Sequence, residues 1–211
     1  MDRVLGRIVN EGYECVIRED QAGRVCFLAD ADIDADGANG QNNAPAAYRV
    51  DDSGTEALAN GGMKLVDGKV ICAQSGARDI VILDDDNQPK VFPGGVIASM
   101  TWYRYSGKRA DDPSAYVDSE TVPYVVVPAL IVQRTAGIVR GCKARVTYQG
   151  RSVECVVPDR GPANKIGELS IAAARALQIP SSPRRGGLST PDAMYELWPG
   201  QAAPGFELQR A

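Results

Sequence analysis

Short apolar runs with alternating polar positions recur along the chain, and this period of two predicts a mainly β protein. Near the N-terminus, VLGRIV, YECVIRE and RVCFLAD are rich in Val, Ile, Tyr and Phe. The turn signals NEG and DQAG separate them. This order favours two or three antiparallel strands, arranged as a meander.

The densest strand signal lies in the second half, where VPYVVVPALIVQ, AGIVRGCKARVTYQG and RSVECVVPD follow one another with short turns. They predict three more strands. IVIL and VIASMTWYRY predict two further strands earlier in the chain.

The stretch from Arg151 to Leu177 predicts a strand, a loop and a helix. Val153, Cys155 and Val157 alternate with polar positions, and Arg160 to Gly167 holds two glycines and one proline. Ser170 is a candidate helix N-cap before IAAARALQI, so we expect the one clear helix at about 170–178.

Long polar connections separate these elements. Residues 44–76 predict surface loops with one short strand at KVICA, and the tail from Ser181 to Ala211 has little pattern. Within the tail, MYELW fits either a last strand or a helical turn. Without a convincing linker, we predict a single domain over residues 1–211, with N-terminal strands and loops in 1–120, a barrel core in 121–180 and an extension in 181–211.

An acid-rich segment, DADIDADGANGQNN, follows the N-terminal strands. Asp32, Asp34, Asp36 and Gly37 match the first half of an EF-hand calcium loop, but its twelfth position is Asn43 and no helix precedes it. We therefore favour a polar turn that faces a ligand groove or solvent over a calcium site, and we expect no metal and no cofactor.

The amino-acid composition excludes some kinds of binding and catalysis. The chain has 211 residues, 44% of them apolar, a net charge of −4 and no histidine. The charge and the absence of a basic run argue against nucleic-acid binding. Without histidine, Ser-His-Asp and Cys-His catalysis are excluded, so acid/base work falls to Asp, Glu, Lys, Tyr or Cys.

The five cysteines are odd in number and form no CxxC pair, which favours buried thiols in a reducing compartment. A disulfide between Cys142 and Cys155 is compatible with the sequence but not implied by it. No apolar run is long enough for a signal peptide or a membrane helix. We expect synthesis in the cytoplasm, no membrane insertion, and delivery to any extracellular target by another route.

Asp159 at the strand end and Glu168 before the helix flank one short loop. Two carboxylates on rigid elements suit acid/base chemistry. A structural alternative pairs Asp159 with Arg160 and puts Glu168 at the positive end of the helix dipole. Trp102, Tyr103 and Tyr105 form either a sugar-stacking platform or, as such rings more often do, part of a core.

The motifs resemble two known patterns. VVPDRGPANKIGELSIAAARAL is similar to the double-psi β-barrel of rare lipoprotein A, a peptidoglycan lytic transglycosylase. It also resembles the glycoside hydrolase family 75 chitosanases, with an Asp at a strand end and Gly-Glu-x-Ser at a helix start. DIDADG at Asp32–Gly37 and VPYVVVP at Val122–Pro128 extend the second resemblance over about residues 25–180.

The resemblance implies a mainly β fold with a six-stranded double-psi β-barrel core, extra N-terminal strands, long loops and one clear α-helix. It also implies an inverting endo-hydrolase of chitosan, with Asp159 and Glu168 as the essential carboxylates. The DRGPANK loop is closer to the lipoprotein pattern, and Ala35 stands where family 75 often has Cys. Peptidoglycan is therefore an alternative substrate.

We expect Asp159 to act as general acid and Glu168 as base, although the two roles can be exchanged. The expected substrate-binding residues are Asp32, Asp34, Asp36, Arg160, Tyr48, Trp102 and Tyr105. The expected partner is a polysaccharide, chitosan or peptidoglycan-like. A rival function is a non-catalytic barrel module of a phage virion or tail that binds glycan or other subunits; a calcium-stabilised structural domain is a third.

Overall fold

The computed structural model describes residues 2–10 and 12–210. The chain forms two compact units. Met1–Asp34 and Val122–Ala211 make up the first, and Ala35–Thr121 makes up the second. The single-domain organisation stays a prediction, and each unit is described by itself below.

Most of the regular structure is β-strand. The first strands are β1 (Arg3–Asn10), β2 (Tyr13–Glu19), β3 (Val25–Asp34), β4 (Tyr48–Arg49), β5 (Met63–Val66), β6 (Lys69–Cys72), β7 (Val91–Phe92) and β8 (Val96–Ile97). They are followed by β9 (Tyr124–Pro128), α1 (Ala129–Arg134), β10 (Cys142–Tyr148), β11 (Arg151–Gly161), β12 (Glu168–Ser170), α2 (Ile171–Leu177) and β13 (Leu188–Ala202).

Six strands of the first unit close into a ring. Its order is β3-β12-β9-β11-β10-β13, and β13 pairs with β3 to complete it. The β3–β12 and β9–β11 pairs are parallel and the other four are antiparallel. Strands β2 and β1 extend the sheet from β3. The predicted mainly β fold, with a six-stranded barrel, extra N-terminal strands, long loops and one clear helix, is confirmed.

Strand β3 is longer than the sequence pattern predicted. It includes Asp30, Asp32 and Asp34, which were expected in a polar turn. Ala29, Ala31 and Ile33 are buried and alternate with these acids, so the segment has the period of a strand. Residues 30–34 therefore form extended backbone, and the turn prediction was wrong for them.

Two other predictions in the first unit were wrong. ALIVQ was expected in a strand but lies in α1, since Pro128 ends β9 and Ala, Leu, Gln and Arg favour a helix. The tail was expected to have little structure but contains the 15-residue strand β13. Its buried Ala193, Tyr195 and Leu197 show the period of two, while prolines at both ends mask the pattern.

Helix α2 begins as predicted. The Ser170 Oγ accepts a hydrogen bond from the Ala173 backbone N–H at 3.1 Å, so Ser170 is the N-cap. The same hydroxyl donates to the Val122 carbonyl at 2.9 Å and accepts from the Tyr124 N–H at 3.0 Å. One buried side chain therefore joins the end of β12, the beginning of β9 and the beginning of α2.

The second unit has little regular structure. Strands β4, β8 and β7 form a small sheet, and β5 pairs with β6 as a hairpin. A buried cluster of Ile82, Ala98, Ala115 and Tyr116 forms a core there. The predicted IVIL strand was wrong in extent, because Val81 and Leu83 form only isolated bridges; the longer VIASMTWYRY strand is limited to Val96–Ile97.

All five cysteines lie among the described residues and are free thiols. Cys142 on β10 is opposite Val157, whereas Cys155 on β11 is opposite Ala144. The two cysteines are therefore not opposite each other in the β10–β11 pair, and the Cys142–Cys155 disulfide that the sequence allowed is not formed.

Candidate functional site

Asp159 and Glu168 flank one residue of the barrel. Val126 on β9 is opposite Asp159 of β11 on one side and opposite Glu168 of β12 on the other. Residues opposite one another in a sheet project from the same face. The two predicted carboxylates therefore share a face, with one buried valine between them.

A β-bulge precedes Asp159. The register of β11 against β9 shifts between Val156 and Asp159, and this interval contains Pro158, which has no N–H to donate to the ladder. The Asp159 Oδ1 accepts a hydrogen bond from the Arg160 backbone N–H at 2.7 Å. Bulges commonly redirect a side chain beside a functional site, and this one sets the position of Asp159.

Glu168 reaches across the sheet towards β11. A Cβ added to Gly161 would lie 2.7 Å from the Glu168 Oε2 and 3.2 Å from the Val126 Cγ1. The Glu168 carboxylate therefore lies against a position that only glycine leaves open. Gly161 is two residues beyond Asp159, so the carboxylate approaches the strand that carries Asp159.

Lys165 connects Glu168 with Asp32. Its Nζ lies 2.9 Å from the Glu168 Oε1 and 3.1 Å from the Asp32 Oδ2. Burial acts to lower the pKa of Lys165, but the ion pairs with Glu168 and Asp32 outweigh burial and raise that pKa above its usual value. Lys165 is thus a charged partner of Glu168, which lies on β12, two residues before the N-cap Ser170.

Asp34, the last residue of β3, is close to Asp159. One carboxylate oxygen of each lies within 4.8 Å of the other. Two acids this close disfavour ionising together unless a cation or hydrogen bonds compensate. The structure therefore gathers Asp32, Asp34, Asp159 and Glu168 in the barrel of the first unit.

A buried polar network supports the backbone that leads into Glu168. The Asn10 Nδ2 donates to both Asp30 carboxylate oxygens at 3.2 and 3.1 Å and to the Ile166 carbonyl at 3.1 Å. The Tyr195 hydroxyl donates to the carbonyls of Asp30 and Gly167 at 2.9 and 3.1 Å. Side chains from β1, β3 and β13 therefore fix the two residues that precede Glu168.

Tyr13 belongs to the same network. Its hydroxyl accepts a hydrogen bond from the Asp30 backbone N–H at 3.0 Å. Burial raises the pKa of Tyr13 to about 12, so the phenol keeps its proton at neutral pH.

The remaining predicted site residues have varied settings. Arg160 is exposed at the end of β11. In the second unit, Asp36 and Trp102 are half-buried. Tyr105 is half-buried too; its ring packs edge-on against Tyr103, with centroids 5.4 Å apart, and burial raises its pKa.

Tyr48 requires a correction. It is 1% exposed, and its hydroxyl donates to the Glu56 Oε2 at 2.8 Å. A ring enclosed in this way has no face on which a sugar can stack, so the prediction that Tyr48 binds substrate was wrong.

Sequence reasoning missed several residues of the site. Lys165 and Gly161 lie in the DRGPANK motif and could have been considered as candidates. Asn10, Asp30 and Tyr195 carry no local signal, because their partners come from strands that are far apart in the sequence.

Fold and site together define a mainly β protein with a closed six-stranded barrel that carries several carboxylates on one face. No family model matches the chain, and no curated protein sequence matches it. Among solved structures, the Streptomyces papain inhibitor (SPI) is similar, with 24% identity over 46% of this chain and 88% of that chain and a TM-score of 0.30. So low a TM-score carries no argument, and the family 75 resemblance stays a prediction from motifs.

Across the part of the chain that the structure describes, no helix combines the length and apolar character that crossing a membrane requires.

Proposed function

We propose that the protein is a glycoside hydrolase that cleaves a β-1,4-linked amino-sugar polymer such as chitosan by an inverting mechanism. The observation that supports this proposal most directly is the shared position of Asp159 and Glu168 on either side of Val126. Glycosidases generally use two carboxylates that flank the bond to be cleaved.

The inverting mechanism is proposed from the family 75 resemblance. Asp159 and Glu168 lie on the two strands that flank β9. Inverting enzymes separate their carboxyl groups by roughly 6.5–9.5 Å to leave room for a water molecule, whereas retaining enzymes hold them at roughly 5–5.5 Å. The anomer that is released first distinguishes the two mechanisms.

The neighbours of each acid support the proposed roles. The role of Asp159 as general acid rests on its position in the DRGP motif, and one Asp34 carboxylate oxygen lies within 4.8 Å of an Asp159 carboxylate oxygen. Glu168 is paired with the Lys165 ammonium, as suits a base that activates water. The pH profile of the rate distinguishes this assignment from the exchanged one.

An amino sugar suits this surface chemically. Asp34 adds a carboxylate beside the proposed pair, and carboxylates form charge-assisted hydrogen bonds with an ammonium group. Peptidoglycan is the alternative polymer, because the DRGPANK loop resembles that of rare lipoprotein A, a peptidoglycan lytic transglycosylase.

The test is digestion of chitosan and of peptidoglycan by purified, folded protein. We expect reducing ends from chitosan, with the inverted anomer detected first by proton NMR. Asp159→Asn and Glu168→Gln should each lower the rate by about 10²–10⁴-fold. Asp192→Asn, an exposed acid on β13, is the matched control and should leave the rate unchanged.

Two outcomes would contradict the proposal. No product from either polymer would exclude the hydrolase, and binding of glycan without cleavage would favour a non-catalytic module. Muropeptides from peptidoglycan, with none of the expected products from chitosan, would keep the enzyme class but change its substrate.

A further inference from the structure

Lys165 occupies an unusual position between two acids. Glu168 and Asp32 are opposite each other on the parallel strands β12 and β3, so their side chains leave the same face one strand apart. Neighbouring strands are about 4.8 Å apart, and two carboxylates at that spacing repel each other. The Lys165 ammonium lies between them, 2.9 Å from one and 3.1 Å from the other.

The two oxygens of Glu168 have different surroundings. Lys165 binds Oε1, while Oε2 faces Gly161 on β11. A carboxylate held by one oxygen cannot rotate freely, so its second oxygen stays directed towards the strand that carries Asp159. Asp32 binds Lys165 from the opposite side and fixes the lysine in turn.

We propose that Lys165 is a positioning residue, anchored by Asp32, that holds Glu168 with its Oε2 towards Asp159. The catalytic consequence rests on the proposed hydrolase function, whereas the ion-pair arrangement does not. Asp32 then serves as the anchor of this lysine rather than as a substrate ligand. We call Asp32, Lys165 and Glu168 the lysine bridge.

The local charges agree with this assignment. Within the first unit, Glu168 is opposite Val126 on β9 and Asp32 on β3, and Lys165 from the preceding loop pairs with both acids. Removal of the lysine would therefore leave Glu168 beside Asp32 without the cation that joins them. A charge-conserving arginine can form the same two ion pairs, but a neutral side chain cannot.

An NMR titration of the lysine ammonium groups tests the bridge without any need for activity. Lys165→Met identifies the signal of Lys165. In the wild-type protein this ammonium should keep its proton to a higher pH than exposed lysines do, and Glu168→Gln or Asp32→Asn should each move its titration to lower pH. A Lys165 signal that is indifferent to both substitutions would overturn the proposal.

Kinetics on chitosan test the positioning role. Lys165→Met should lower kcat by about 10–100-fold, as expected for a displaced catalytic group, with a small change in KM. Lys165→Arg should restore most of the rate.

Lys143→Met is the matched control. Lys143 is a half-buried lysine on β10 that pairs with Glu154 at 3.1 Å, away from the lysine bridge. It should leave kcat unchanged. Equal losses in the Lys165 and Lys143 variants, or a Lys165→Arg variant as impaired as Lys165→Met, would overturn the positioning role. A wild-type protein without activity would instead contradict the hydrolase function, and the NMR titration would still decide whether the bridge exists.

Discussion

Asp34 and Asp159 lie close together although their strands are not neighbours. Strands β3 and β11 occupy opposite positions in the six-strand ring, three strands apart in either direction, yet one carboxylate oxygen of each acid lies within 4.8 Å of the other. A flat sheet would separate the two strands by about 14 Å. Neither strand alone therefore indicates this pair of acids.

Gly161→Ala should impair activity more than stability. The new Cβ would lie 2.7 Å from the Glu168 Oε2 and would displace this carboxylate from the position in which Lys165 holds it, while the backbone need not shift. We expect kcat on chitosan to fall by about 10–100-fold while the unfolding free energy changes by about 1 kcal/mol. Gly76→Ala, where an added Cβ meets nothing within 4 Å, is the control. An active Gly161→Ala would mean that the Glu168 carboxylate need not lie over this residue.

Gly167→Ala should be strongly destabilising. Gly167 has φ +97°, and an added Cβ would lie 2.2 Å from the Asp30 Oδ1 and 2.9 Å from the Asp30 carbonyl oxygen. The buried acid and its backbone cannot move easily, because Asn10 and Tyr195 bind them. We expect a loss above about 3 kcal/mol in the unfolding free energy, from backbone strain and overpacking together.

Gly150→Ala separates the cost of backbone strain from the cost of overpacking. Gly150 has φ +77°, but an added Cβ there meets nothing within 4 Å. Its variant should lose only the cost of the left-handed backbone, about 1–2 kcal/mol. If both variants lost the same amount in chemical denaturation, the contact with Asp30 would play no part.

The sequence was most informative where the signal was local. The period of two predicted β10 and the first part of β11, and Ser170 predicted the start of α2, because a hydroxyl before a helix-forming run is a local cap. Asp159 and Glu168 could be proposed because they flank one loop. That they share Val126 could not be predicted, since it depends on the order of strands in the ring.

The strand at the acids of β3, the strand β13 and the role of Lys165 could not be predicted from the sequence pattern, for physical reasons. The acids of β3 suggested a turn because the buried alternate positions are mostly small alanines, which give a weak apolar signal. The pattern of β13 was masked by its prolines, one of which lies where the register against β3 shifts. Lys165 became a candidate only when strand register brought Asp32 beside Glu168, far away in the sequence.

The buried thiol of Cys15 should make stability fall at alkaline pH. Burial, with a smaller effect of the Asp30 charge, raises the pKa of Cys15 from 9.0 to about 12. Between these values the unfolded chain has lost the thiol proton while the folded chain retains it, so unfolding free energy falls as pH rises, by at most about 1.4 kcal/mol per pH unit. Cys15→Ala removes this contribution. In urea denaturation, the stability difference between wild type and Cys15→Ala should be constant below about pH 9 and should then shift in favour of the variant. Parallel curves up to pH 11 would contradict the prediction, because they would mean that the folded thiol ionises as readily as the unfolded one.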